Sequence, residues 1–62
     1  MEKPACKLIG EDGNIFNLIG LASRALKKTG MYSEASEMTT KVMASKSYDE
    51  ALAIIMDYVE VE

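Results

Sequence analysis

The sequence predicts an all-α or mainly α-helical fold: a compact three-helix domain over residues 1–62, with room for a short N-terminal strand. Three observations carry that expectation. Apolar residues recur at helical spacing in three separate stretches, Gly30 stands where the first should end, and a Ser47–Glu50 capping box opens the third. Sixty-two residues allow one domain at most, and a chain this short buries only about 60% of the surface its unfolded form exposes. Small domains offset that with disulfides, a metal or a second subunit. One cysteine, Cys6, and no histidine exclude an internal disulfide and leave zinc without its usual ligands, so no metal or cofactor is expected. Self-association as a homo-oligomer is the expected supplement.

Taken in order, residues 1–4, with Pro4, read as a frayed terminus, and residues 5–9 as a short strand. The run Gly10-Glu11-Asp12-Gly13-Asn14 ends that strand with turn chemistry, and Asn14 is placed to cap a helix. The first helix should run over residues 15–29. At about 100° per residue, Ile15, Leu18, Ile19, Ala22, Ala25 and Leu26 share one side, opposite Asn17, Gly20, Arg24, Lys27 and Lys28, with Phe16 at the border. Gly30 suits the left-handed position after the helix, where Met31 can touch Leu26 in a Schellman ending. Ser33 is the expected cap of a second helix over residues 34–44, whose apolar stripe is narrow (Ala35, Met38, Val42), with Met43 well off it. The third helix, residues 48–59, carries its acids within an arc of about 100° and its apolar residues over about 200°. That excess of apolar surface places the expected oligomer interface at Ile54, Ile55, Tyr58 and Val59. The closing run Tyr58-Val59-Glu60-Val61-Glu62 alternates apolar and acidic, so a final strand pairing with residues 6–9 is an option, with Lys7 offsetting its acids.

Charge narrows the partners. The net −3 is uneven: residues 1–30 hold five bases and three acids, residues 31–62 two bases and seven acids. An acidic half opposes general affinity for a phosphate backbone. Its carboxylates have two readings, a solvated face or a mimic of phosphates that occupies a basic protein. The longest uninterrupted apolar run, residues 51–56, is far below the roughly 20 residues of a membrane span, and no leader is visible. A soluble protein of a bacterial cytoplasm is expected, with no membrane partner.

No catalytic constellation emerges. Ser23, Ser36 and Thr39 have no histidine to activate them, and Cys6 has only Lys7 beside it, so no enzyme is expected. The run Ile9-Gly10-Glu11-Asp12-Gly13-Asn14-Ile15-Phe16 resembles the I-G-x-x-G loop of KH domains, which implies a clamp on about four nucleotides. In those domains the loop lies between two helices and favours basic or small inner residues. Here it follows a strand directly and holds Glu11 and Asp12, so the stretch reads as a turn and cap. An EF-hand reading fails because Ile15 and Phe16 replace the oxygen ligands that calcium needs. An anion at the helix N-terminus would be repelled by the same acids.

The best recognition face is the outer side of the first helix, with Phe16 as anchor, Gly20 allowing close approach, and Asn17, Arg24, Lys27 and Lys28 around them. The plain alternative is a solvated basic face. The run from Lys7 to Leu21, together with Ser47-Tyr48-Asp49-Glu50-Ala51-Leu52 and Tyr58-Val59-Glu60, is similar to short uncharacterised proteins of bacterial phages and mobile elements. That resemblance implies an accessory or anti-defence role: a compact oligomer that binds a host protein or sequesters a small molecule. A nucleic-acid or nucleotide binder using the Gly10–Gly13 loop and the basic end of the first helix is the rival, and a purely structural subunit the third reading.

Overall fold

Asn14 opens the first helix as its chemistry requires: its side-chain oxygen accepts the Phe16 amide at 2.9 Å, satisfying a donor that the first turn leaves orphaned. In a computed structural model describing residues 2–62, the chain runs β1 (Ala5–Cys6), α1 (Ile15–Lys28), α2 (Tyr32–Met43), α3 (Tyr48–Tyr58) and β2 (Glu60–Val61). Three helices around one core, with a two-stranded parallel sheet joining the chain's two ends, make a mainly α three-helix domain. Met1, part of the segment expected to fray, lies outside the described residues.

The end of α1 is the Schellman motif that Gly30 foretold. The Met31 amide donates to the Leu26 carbonyl at 2.9 Å and the Gly30 amide to the Lys27 carbonyl at 3.0 Å, while Gly30 takes φ 79°. Met31 packs on the core. The tightness of this ending moves the next helix. α2 begins at Tyr32, two residues before the expected start, because Met31 is already its N-cap residue, accepting the Ala35 amide at 3.0 Å through its carbonyl. Ser33 therefore falls inside the first turn and caps nothing. α2 buries Ala35, Met38 and Val42, the narrow stripe read from the sequence. Ser47 caps α3 by accepting the Glu50 amide at 3.1 Å.

α3 packs against both other helices, which absorbs most of its broad apolar surface. Ile55 and Val59 are among the largest fully buried side chains, and Tyr58 is buried too, with its hydroxyl donating to Glu37 Oε2 at 2.7 Å and Lys41 Nζ lying 5.5 Å from its ring centre. The oligomer interface expected at Ile54, Ile55, Tyr58 and Val59 thus loses three of its four members to the chain's own core. The physical reason is that α3 packs against both other helices, and each large apolar side chain fully buried between them contributes on the order of 1.5–3 kcal/mol. Only Ile54 remains partly exposed.

The N-terminal arm is not frayed at Lys3 and Pro4. Pro4 accepts the Glu60 amide at 2.8 Å through its carbonyl, and Lys3 Nζ donates to the Met56 carbonyl at 3.0 Å, placing a cation at the end of α3 where that helix has no base of its own. Pairing aligns Ala5 with Glu60 and Cys6 with Val61, and the Leu8 and Ile9 amides both reach the main-chain oxygen of Glu62 at 2.9 Å. Strand β1 is shorter than the expected residues 5–9, because a turn with Gly10 at φ 87° bends the chain away after Leu8. Cys6 and Leu8 point into the core, and Ala5 and Lys7 point out.

Candidate functional site: two grooves at the ends of the first helix

The outer face of α1 carries the residues singled out in the sequence. Phe16, Asn17, Gly20, Arg24, Lys27 and Lys28 are all exposed. They do not act alike. Asn17 is engaged, donating from Nδ2 to the Asp12 carbonyl at 2.9 Å, so its side chain closes the loop before the helix. Phe16 is 66% exposed, one of six large apolar side chains left at the surface of the described residues. A Cβ added at Gly20 meets nothing within 4 Å, so no contact inside this chain requires glycine there, although glycine in a helix interior costs about 0.5–1 kcal/mol relative to alanine.

Two side chains that the sequence did not place in the recognition face join Phe16. Met43, at the end of α2, is 61% exposed and Tyr48, at the start of α3, is 46% exposed. Together with Ile15, Ile19 and Ala51 they line an open groove of about 360 Å³ where the N-termini of α1 and α3 meet the C-terminus of α2. Met43 had already shown itself off the apolar stripe of its helix, which was a legible sign. Tyr48 had none, since its place beside Phe16 depends on how α3 crosses α1.

The glycine loop lies next to this groove and is held by several bonds of its own. The Glu11 amide donates to the Leu8 carbonyl at 3.2 Å, with Gly10 at the position where a type II turn needs positive φ. Asp12 Oδ1 accepts the Asn14 amide at 3.0 Å. The Tyr48 hydroxyl donates to the Gly13 carbonyl, and a Cβ at Gly13 would come within 3.3 Å of that hydroxyl. A side chain at Gly13 would therefore crowd the Tyr48 hydroxyl by a few tenths of an ångström. Three polar groups of the loop are thus engaged within the chain: the Glu11 and Asn14 amides in the turn itself, and the Gly13 carbonyl with α3.

At the other end of α1 a second groove, about 480 Å³, runs between β1 and the helix. Pro4, Ala5 and Lys7 form one wall, Arg24 and Lys28 the other, and Leu21 and Ala25 the half-buried floor. Three bases and one acid, Glu11, border it. Sequence reasoning found Arg24 and Lys28 but missed their neighbours, because β1 reaches α1 only through the closure of the chain's ends.

No family model, curated protein or solved structure matches the chain. No helix among the described residues is long and apolar enough to cross a membrane.

Proposed function

We propose that this chain is a non-enzymatic binding protein whose partner is a protein seated on the face formed by Phe16, Met43 and Tyr48 and continuing over Gly20 toward Arg24, Lys27 and Lys28. One observation carries the reading: a phenylalanine that is 66% exposed stands over an apolar groove, one helical turn before an exposed glycine that nothing in the chain requires. An aromatic anchor beside a bare stretch of helix is how small domains receive an apolar partner surface, and aromatic side chains dominate the energetics of such contacts. The basic residues further along α1 suit an acidic rim on that partner. The resemblance read in Lys7–Leu21, Ser47–Leu52 and Tyr58–Glu60 to short phage and mobile-element proteins would make a bacterial host factor the target, in an accessory or anti-defence role.

The test is capture from a bacterial host lysate by tagged protein, read by native mass spectrometry and compared with Phe16→Asp and Gly20→Gln variants. Both positions are exposed, so both variants fold, as circular dichroism will report. The expected outcome is a stoichiometric protein partner retained by the parent chain and lost or weakened at least ~10-fold in each variant, the equivalent of one hot-spot residue. Equal capture by the parent and both variants, or a small molecule as the sole retained species, overturns the reading.

A further inference from the structure

We propose that the outer edge of β1 is a second docking surface, which takes an extended segment of another protein as an added strand, and that this segment alternates apolar and acidic residues. The surface shares Arg24 and Lys28 with the basic end of the face around Phe16, but its strand edge and apolar floor lie apart from Phe16, Met43 and Tyr48 and do not depend on them.

The backbone supplies the first argument. In an extended strand the N–H and C=O of one residue point to the same side, and successive residues alternate. The Pro4 and Cys6 carbonyls accept the Glu60 and Glu62 amides at 2.8 and 2.9 Å, and the Leu8 amide donates to Glu62, so residues 4, 6 and 8 face β2. Ala5 and Lys7 face the other way. Their N–H and C=O groups have no hydrogen-bond partner among the described residues, and both residues are exposed. Proline commonly blocks a strand edge, but by the same alternation the missing N–H of Pro4 lies on the β2 side and leaves the outer edge unguarded.

Room and charge supply the second. The groove of about 480 Å³ lies along this edge, with Leu21 and Ala25 as its floor and Arg24 and Lys28 as its far wall. A strand laid there points every second side chain down onto the apolar floor. The intervening ones point outward, toward Lys7, Arg24 and Lys28, which favour carboxylates; Glu11 is the only acid at the rim. The chain displays this pattern on the opposite edge of β1. There Val59 is buried and Val61 half-buried against the core, while Glu60 and Glu62 are exposed. Main-chain bonds then provide affinity and the alternating side chains specificity, as in other cases of strand addition.

The probe is a blocked, fluorescein-labelled seven-residue peptide alternating valine and glutamate, titrated with the full chain at low salt and followed by anisotropy. Saturable binding is expected. Weakening of at least ~10-fold is expected for a valine–lysine peptide, for the acidic peptide N-methylated on the residues that face β1, and for the Arg24→Glu/Lys28→Glu double variant. The Phe16→Asp variant should bind unchanged, which separates this surface from the first. Amide exchange at Ala5 and Lys7 should slow when the peptide is bound. No saturable binding overturns the proposal, and so does N-methylated peptide binding as well as the parent, because attraction would then be charge alone. Self-association of the free chain that the peptide reverses would seat a second copy on this edge and overturn the choice of occupant.

Discussion

Gly20 and Gly30 are the same residue type in opposite situations, and the difference is measurable. Gly30 sits at φ 79°, where a side chain is strained whatever the space around it, and it carries the turn that ends α1. Gly20 sits in ordinary helix with open space beside it. Gly30→Ala should therefore destabilise by about 1–2 kcal/mol, whereas Gly20→Ala should stabilise by about 0.5–1 kcal/mol. Paired thermal melts read both: Gly30→Ala shifts Tm down by roughly 4–8 °C per kcal/mol and Gly20→Ala shifts it up. A Gly20→Ala protein that melts lower than its parent would mean that the glycine serves this chain's own packing, and the argument for close approach by a partner would lose its support. The role of Gly30 was legible in the sequence, because helix-ending chemistry is local. The contact at Gly13 was not, since the hydroxyl that its carbonyl accepts belongs to Tyr48, thirty-five residues away.

Elements divide in the same way. Asn14, Gly30 and Ser47 mark helix boundaries through bonds spanning only a few residues, and α1 and α3 begin where those signals put them. The start of α2 escaped that logic because the Schellman ending of α1 hands the chain straight to Met31, and the neighbouring geometry outweighs the capping preference of Ser33. Strand β2 was readable only as an option, since an alternating apolar and acidic tail becomes a strand when an edge is present to receive it. That edge is worth testing directly. Deleting residues 60–62 removes the bonds from Glu60 to Pro4, from Glu62 to Cys6, and from Leu8 and Ile9 to Glu62. At about 0.5–1.5 kcal/mol net for each of these four bonds, the loss should be on the order of 2–6 kcal/mol. A domain of this size has only about 3–9 kcal/mol in all, so urea titration should show a truncated chain that is largely unfolded or melts at far lower denaturant.

At the scale of the whole molecule, both termini and all three helices share one core, and Cys6 joins the sheet to it. Burial raises the Cys6 thiol pKa above its ordinary 9.0, with the nearby Glu62 carboxylate adding to the effect. A group whose folded pKa is raised lends stability that is fully present below the unfolded value and is lost as pH climbs through the folded one. Denaturant midpoints should therefore fall as pH passes 9, and the gap between the parent chain and Cys6→Ala should narrow over that range. Lys41, raised by the Tyr58 hydroxyl first and then by the Tyr58 and Glu37 charges, acts in the same direction only above its ordinary 10.5, so the window between the two belongs to the thiol. A constant gap from pH 7 to 10 would show that the thiol proton is not coupled to folding. Sequence alone determined the helices and most of their caps, because capping and apolar periodicity act over three to five residues. The apolar excess of α3 was just as readable, but its destination was decided by the tertiary structure, which spends Ile55, Tyr58 and Val59 inside the chain and leaves Phe16, Met43 and Tyr48 outside. Which apolar residues stay exposed depends on how helices cross and where the chain's ends meet, and those contacts join residues far apart in the sequence, such as Ala5 with Glu60 and Gly13 with Tyr48.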